Sequence, residues 1–226
     1  MAYLHIANLY KEQEILLYKE CYALEKIHGT SANISWSNDT VHLFSGGAKY
    51  ESFAILFDKD YLNCMFNKLQ LDKVKIYGEA YGGKQQGMRK TYGDTLKFIA
   101  FEVKVGTCWL AVPQAEDFCK NFILEFVHYV KIPTTIEAID AEMNAPSVQA
   151  KRNGILEDMP REGVVLRTLI ETTKNNGERI IAKHKHPDFR ETKTKREVTD
   201  PLKLQTITQA KLIAEEWVTE MRLSHV

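Results

Sequence analysis

The sequence has no apolar run approaching the ~20 residues that a membrane-spanning helix needs. Met1 to Tyr10 has neither the basic start nor the long apolar stretch of a secretory signal. Net charge is also missing: Lys plus Arg is 30 and Asp plus Glu is 30. That excludes a histone-like binder relying on bulk positive charge, so any nucleic-acid contact has to come from a local patch. Cysteine is scarce, with 4 in 226 residues, and Cys21, Cys64, Cys108 and Cys119 form no CxxC pair. Zinc-ribbon spacing and a disulfide scaffold are therefore excluded. The reading is four reduced, mostly buried thiols in a cytoplasmic protein, or in a viral protein in the host cytoplasm. The histidines show no metal-ligand spacing, and the chain has no internal repeat or low-complexity tract.

What remains is the composition of an ordinary globular protein, 44% hydrophobic and 27% charged. Leu9 to Glu20 reads as a short amphipathic helix. Tyr22 to Ile27 reads as a strand that breaks at His28-Gly29-Thr30. Asn33–Ser37 and Thr40–Ser45 read as a hairpin around Ser37-Asn38-Asp39. Tyr50 to Leu69 has helical periodicity, with Phe53, Leu56, Phe57, Tyr61, Cys64 and Met65 on one face. A strand at Lys73–Glu79 leads into the loop 81–87. Leu96–Val105 and Thr107–Val112 read as a second hairpin. Pro113 opens a helix with Phe118, Phe122, Ile123 and Phe126 on one face. Thr134–Arg152 reads as one or two helices interrupted near Pro146. Glu162–Arg167 and Glu178–Lys185 read as strands joined by a turn at Lys174-Asn175-Asn176-Gly177. A final helix starts with Asp200 as cap and Pro201 at its first position. Its apolar face is Ile207, Ala210, Ala214, Trp217 and Met221. Strands and helices alternate without a βαβ rhythm, which predicts an α+β fold with antiparallel sheets flanked by helices.

Three features carry chemistry. Lys26 ends an apolar strand before a turn, where desolvation and nearby positive charge lower an amine's pKa and make it nucleophilic. A surface lysine at a strand end has the same local sequence. Lys183 and Lys185 are two apart on a strand and project from one face. Paired ammonium groups repel unless an anion such as phosphate lies between them; a solvated basic edge strand is the alternative. Glu79, Glu102 and Glu162 are isolated acids in apolar strands, and buried carboxylates need partners. Each alone is more often a structural ion pair. Together with three lysines they suggest a site for a polyphosphate and a divalent metal.

Glu25-Lys26-Ile27-His28-Gly29-Thr30 resembles the nucleophile motif of the covalent nucleotidyltransferases. Within them the chain is similar to the nick-sealing phage RNA ligases and the trypanosome RNA-editing ligases. Gly78-Glu79, Phe98 to Val103, Glu162-Gly163-Val164-Val165 and Lys183-His184-Lys185 resemble that family's remaining motifs, in order. The resemblance implies an ATP-grasp-like nucleotidyltransferase domain. It implies an ATP-dependent RNA ligase that joins a 3′-hydroxyl to a 5′-phosphate through AMP on Lys26 and then an adenylylated 5′ end. It implies that Glu79 binds the ribose, that Phe101 stacks on the adenine, and that Glu25 and Ile27 flank the base. It further implies that Lys183 and Lys185 neutralise the α-phosphate, that Glu102 and Glu162 help hold Mg2+ or Mn2+, and that His28 acts near the metal or the RNA end. The alternatives are a GTP-using capping-type enzyme, a DNA ligase, or a non-catalytic module that binds RNA ends.

The sequence departs from the family in three places. Ser31 stands where the family usually has Asn, with Asn33 two residues on. Lys49 is the nearest cation where the family has a loop Arg, and Lys cannot make the bidentate phosphate contact of Arg. Glu102 stands where nick-sealing relatives commonly have Asp. Too few residues follow Lys185 for a separate domain, which takes roughly 50. A single adenylyltransferase domain over 1–226 is therefore expected, with no OB-fold and no separate C-terminal RNA-binding domain. The expected partners are RNA ends or nicked duplex, with a further domain or partner protein supplying added RNA affinity, and no membrane. The basic residues Lys183, Lys185, Arg190, Lys193, Lys195 and Arg196 are either an extended phosphate-binding surface or a solvated loop.

Overall fold

The computed structural model describes residues 3–189 and 201–217. In chain order the strands are β1 (Glu20–Lys26), β2 (Thr30–Ser37), β3 (Thr40–Ser45), β4 (Lys73–Tyr81), β5 (Lys97–Val105), β6 (Cys108–Trp109), β7 (Tyr129–Pro133), β8 (Gly163–Thr168) and β9 (Ile181–Lys185). The helices are α1 (Tyr50–Ala54), α2 (Lys59–Leu69), α3 (Arg89–Tyr92), α4 (Val112–Asn121), α5 (Ile136–Asn144), α6 (Val148–Arg152) and α7 (Pro201–Trp217). The strands form two sheets, ordered β7-β1-β8-β9 and β3-β2-β4-β5-β6. All strand pairings in both sheets are antiparallel, the expected α+β arrangement.

Local chemistry explains where the elements begin and end. The β2–β3 hairpin turns through Asn38 and Asp39, both at positive φ (51° and 55°), as a tight two-residue hairpin turn requires. The helix expected over 50–69 is two helices, because the Asp58 side chain accepts from Tyr61 N and caps a new start. Asn144 and Val148 bracket the expected break at Pro146.

Several expectations need correction. Leu9 to Glu20 holds only a 3-10 turn at Glu14–Leu17, because the residues before it follow β9: Leu9 N donates to Lys183 O at 2.9 Å. Helix α4 stops at Asn121, and Ile123 is exposed at φ 57° instead of facing the core. Strand β7 and helix α3 were not foreseen; both are short, and their sequence patterns are correspondingly weak. In α7, Ile207 is buried but Ala210 and Ala214 are exposed. The side chain of Trp217, and the whole of Met221 and Asp200, lie outside the described residues.

One apolar core lies on the helical side of the five-stranded sheet, where Trp36 stacks on Phe66 with ring centroids 5.4 Å apart. A second joins Leu9, Ile15, Ile139, Met143, Val164 and Leu166 behind the four-stranded sheet. Cys21 and Cys119 are buried and Cys64 and Cys108 exposed, so two of the four thiols depart from the expected burial. Burial pushes the Cys21 and Cys119 thiols up to about 12. Among the described residues no helix is long and apolar enough to cross a membrane.

Candidate active site

Strand register brings the expected nucleophile to the expected cations. Lys26 on β1 is opposite Gly163 on β8, and Gly163 is opposite Lys185 on β9. A Cβ on Gly163 would lie 2.1 Å from His184 O, so only glycine allows this approach of β8 to β9. Glu162, just before β8, reaches both lysines. Its Oε2 is 2.7 Å from Lys26 Nζ and its Oε1 is 3.2 Å from Lys185 Nζ. His28 Nδ1 adds a third contact, 3.1 Å from Oε2. Burial pushes the Glu162 carboxyl up, but contacts from His28 and the Lys26 ammonium outweigh it and hold it at about 2.

Glu79, on β4, lies near the same group. It accepts from Gly29 N at 3.2 Å. Gly29 allows this because a Cβ there would meet Ala80 O at 2.4 Å and Glu79 Cγ at 3.0 Å. Burial pushes the Glu79 carboxyl up to about 7, Lys26 opposes the shift, and the charge of Glu162 adds to it.

Lys26 and Glu79 open on a cavity of about 360 Å³, a volume in the range of small-molecule sites. Of the residues the sequence singled out, Lys26, Ile27, Ser31, Glu79, Phe101 and Lys183 line it. Phe101 reaches it through a β-bulge: Tyr77 pairs with Glu102 and Gly78 with Ala100, which leaves Phe101 as the extra residue. The bulge also breaks the in–out alternation that the sequence suggested for β5.

Several expectations are corrected by position. Glu102 borders the cavity, but it is enclosed by guanidinium groups and is not open to a metal. Arg167 Nη1 is 3.2 Å from its Oε1, Arg179 donates to both of its oxygens, and the Tyr3 hydroxyl donates to it as well. Glu25 lines the cavity, yet its carboxylate accepts from Val148 N at 3.1 Å and Gln149 N at 3.2 Å, at the start of α6. Its side chain therefore anchors that helix instead of facing a base. Asn33 is buried and does not line the cavity; Ser31 does. Lys49 is exposed ahead of α1, outside the cavity lining. Lys185 reaches Glu162 but does not line the cavity itself. Arg190, Lys193, Lys195 and Arg196 lie outside the described residues. Among the described residues no three His, Cys, Asp or Glu side chains form a metal-binding group.

Sequence reasoning missed Tyr3, Arg167 and Arg179. Arg167 was within reach: it lies two residues after Val165 on β8, both line the cavity, and a charge there needs a buried partner. Tyr3 and Arg179 gave no signal, because the N-terminal segment and the 174–179 turn meet Glu102 only through the tertiary fold.

A family model described as RNA ligase matches residues 19–185. Comparison with curated protein sequences finds no match. Among solved structures, the Naegleria gruberi RNA ligase with PPi is similar, with a TM-score of 0.64 and 14% identity over 84% of this chain and 57% of that one. A lysine-to-methionine mutant of the same ligase, solved with AMP and Mn, gives 0.63 at the same identity and coverage. A lysine-to-alanine mutant with ATP and Mn gives 0.64, again at 14% identity over 84% of this chain and 57% of that one. At this identity the likeness is one of fold. The chain spans little more than half the length of these ligases.

Proposed function

This chain belongs to the RNA ligase family, and on that premise we propose that it activates RNA ends with ATP through AMP carried on Lys26. The observation that carries the reading is the convergence of Lys26, His28 and Lys185 on the buried Glu162 beside the cavity. The Naegleria ligase structures solved with ATP, AMP and Mn support the choice of nucleotide.

In this reading the Lys26 amine, once deprotonated, gives its lone pair to the α-phosphorus of ATP. A P–N bond forms, the bond from the α-phosphorus to the bridging oxygen breaks, and pyrophosphate leaves with the electron pair. Phosphoryl transfer of this kind needs positioning and charge neutralisation more than covalent help. Glu162, held at about 2, is a weak proton acceptor. It therefore orients the amine, and the proton passes to water. Lys183, lining the cavity, and Lys185, on the far oxygen of Glu162, supply positive charge toward the α-phosphate. Phe101 gives the base an aromatic face, and Glu79 gives the ribose hydroxyls an acceptor.

A divalent cation, Mg2+ or Mn2+, fits one part of this site. Glu162, whose oxygens Lys26 and Lys185 would release on turning to the α-phosphate, and Glu79 near it would offer the hard oxygens that such an ion takes alongside substrate phosphates. Glu102 does not fit, because its oxygens are held by Arg167, Arg179 and Tyr3. When bound, the ion supplies Lewis-acid neutralisation of phosphate charge.

Two further transfers complete ligation. An RNA 5′-phosphate oxygen attacks the AMP phosphorus and Lys26 leaves. A 3′-hydroxyl then attacks the RNA 5′-phosphorus and AMP leaves. His28, part-exposed beside Glu162 and packed 5.4 Å from the Phe189 ring, stands where an RNA end would approach. Intact-protein mass spectrometry after incubation with ATP or GTP tests the reading. A one-AMP adduct from ATP supports it, a GMP adduct makes this a capping-type enzyme, and RNA binding with neither adduct makes it an end-binding module.

A further inference from the structure

One face of the five-stranded sheet packs on helices through Ile34, Trp36, Val74, Ile76 and Val103. The opposite face, one residue out of phase, starts at the cavity with Ser31 and Glu79 paired across β2 and β4. The next row outward pairs Asn33 with Tyr77. The row after that crosses all five strands in register: His42, Ser35, Lys75, Lys104 and Trp109. Lys73 follows, opposite Ser37.

Lys75 and Lys104 are direct cross-strand partners, and like charges in that position are destabilising. Among the described residues neither forms an ion pair. Each instead lies over an aromatic ring: Lys75 Nζ is 5.6 Å from the Tyr77 centroid and Lys104 Nζ is 4.8 Å from the Trp109 centroid. Tyr77 and Trp109 are 5.5 Å apart at 33°, and Tyr3 links Tyr77 to Phe101 through edge contacts of 5.0 and 5.1 Å. No carboxylate separates the two lysines in their row. The nearest acids along the strands are Asp39 and Asp72 in the outer turns and Glu102, which is already paired.

Two lysines held side by side with no ion pair of their own, over aromatic rings, on the face whose inner end Tyr3 separates from the cavity, match a polyanion built of phosphates and bases. We propose that this face binds an RNA strand, with Lys75 and Lys104 on its phosphates and Trp109 and Tyr77 beneath them, and that the strand passes over Tyr3 toward the cavity at Lys26. The four residues from Lys75 to Glu79 span roughly 13 Å at strand rise, so the contact lies more than one nucleotide from the reacting end. This inference rests on the ligase reading for the identity of the polymer. In a chain of zero net charge, such a patch is where the affinity has to come from.

The test is fluorescence anisotropy of a labelled, 5′-phosphorylated single-stranded RNA with the full chain across a salt series, without nucleotide. Wild type should bind with an affinity that falls with salt. The double variant Lys75→Gln/Lys104→Gln should bind at least about fivefold more weakly, with its log–log salt slope shallower by roughly 1 to 1.5. Lys75→Arg/Lys104→Arg should bind like wild type, and both variants should still form the ATP adduct. Failure of wild type to bind, or an unchanged affinity and slope in the glutamine pair, overturns the proposal. Loss of the adduct with RNA binding intact overturns the ligase reading and leaves this one standing.

Discussion

Lys26 and Lys185 lie on strands that do not pair with each other, yet they meet on one carboxylate: Glu162 offers Oε2 to the first and Oε1 to the second. The glycine between them in the row lets the strands close, and the preceding residue fills the gap with charge. Glu162 is thus the hub of the site, in contact with Lys26, with one member of the lysine pair and with His28.

Replacing that hub should cost more activity than replacing a residue at the cavity rim. Glu162→Gln keeps the shape and removes the charge, and adduct formation should fall roughly 100-fold or more, the scale for a charged group aimed at a reacting centre. Quenched-flow labelling with radioactive ATP measures it. A rate within a few-fold of wild type means that Glu162 is structural only.

The two acids near Lys26 should respond to pH in opposite senses. Glu162, held at about 2 against an ordinary 4.5, contributes stability that is complete above pH 4.5 and is lost as pH falls toward 2. Glu79, raised from 4.5 to about 7, binds its proton more tightly in the folded state. Its contribution is complete below pH 4.5 and is lost as pH rises from 4.5 through about 7. Thermal melting across that window should show Glu79→Gln with a flatter decline than wild type. Parallel melting curves would remove Glu79 from the account.

Gly29→Ala should impair the site through backbone alone. The new Cβ would meet Ala80 O at 2.4 Å and push Gly29 N away from Glu79. Nucleotide KM should rise several-fold while circular dichroism stays unchanged. A normal KM means that the Gly29–Glu79 contact does not shape the ribose end.

Arg179→Ala should act through stability and base binding together. It removes one of two guanidinium groups from a carboxylate that is 1% exposed, and breaking a buried pair costs about 3–5 kcal/mol. Because Glu102 adjoins Phe101 at the bulge, ATP affinity should drop as well. Urea unfolding and ATP titration read the two effects separately, and a variant unchanged in both means that the cluster holds neither the fold nor Phe101.

Legibility in the sequence followed the range of the interactions. Lys26, Glu162 and the alternating lysines were visible because strand period and a break at glycine are local signals, and register then brought them together. The bulge that turns Phe101 toward the cavity left no local mark, since it arises from a mismatch between β4 and β5. Glu102 was read as a metal ligand because its partners, Arg167 and Arg179, come from distant segments, and Tyr3 comes from the far end of the chain. Glu25 was assigned to the base for the same reason: its partners, the Ser147 hydroxyl and the Val148 and Gln149 N–H groups, are more than a hundred residues away.

The most direct measurement is the mass of the intact chain after incubation with ATP and Mg2+, for wild type and for Lys26→Ala. The account expects one added AMP on wild type, mapped to Lys26 by peptide sequencing, and none on the variant. An AMP adduct that survives Lys26→Ala contradicts it.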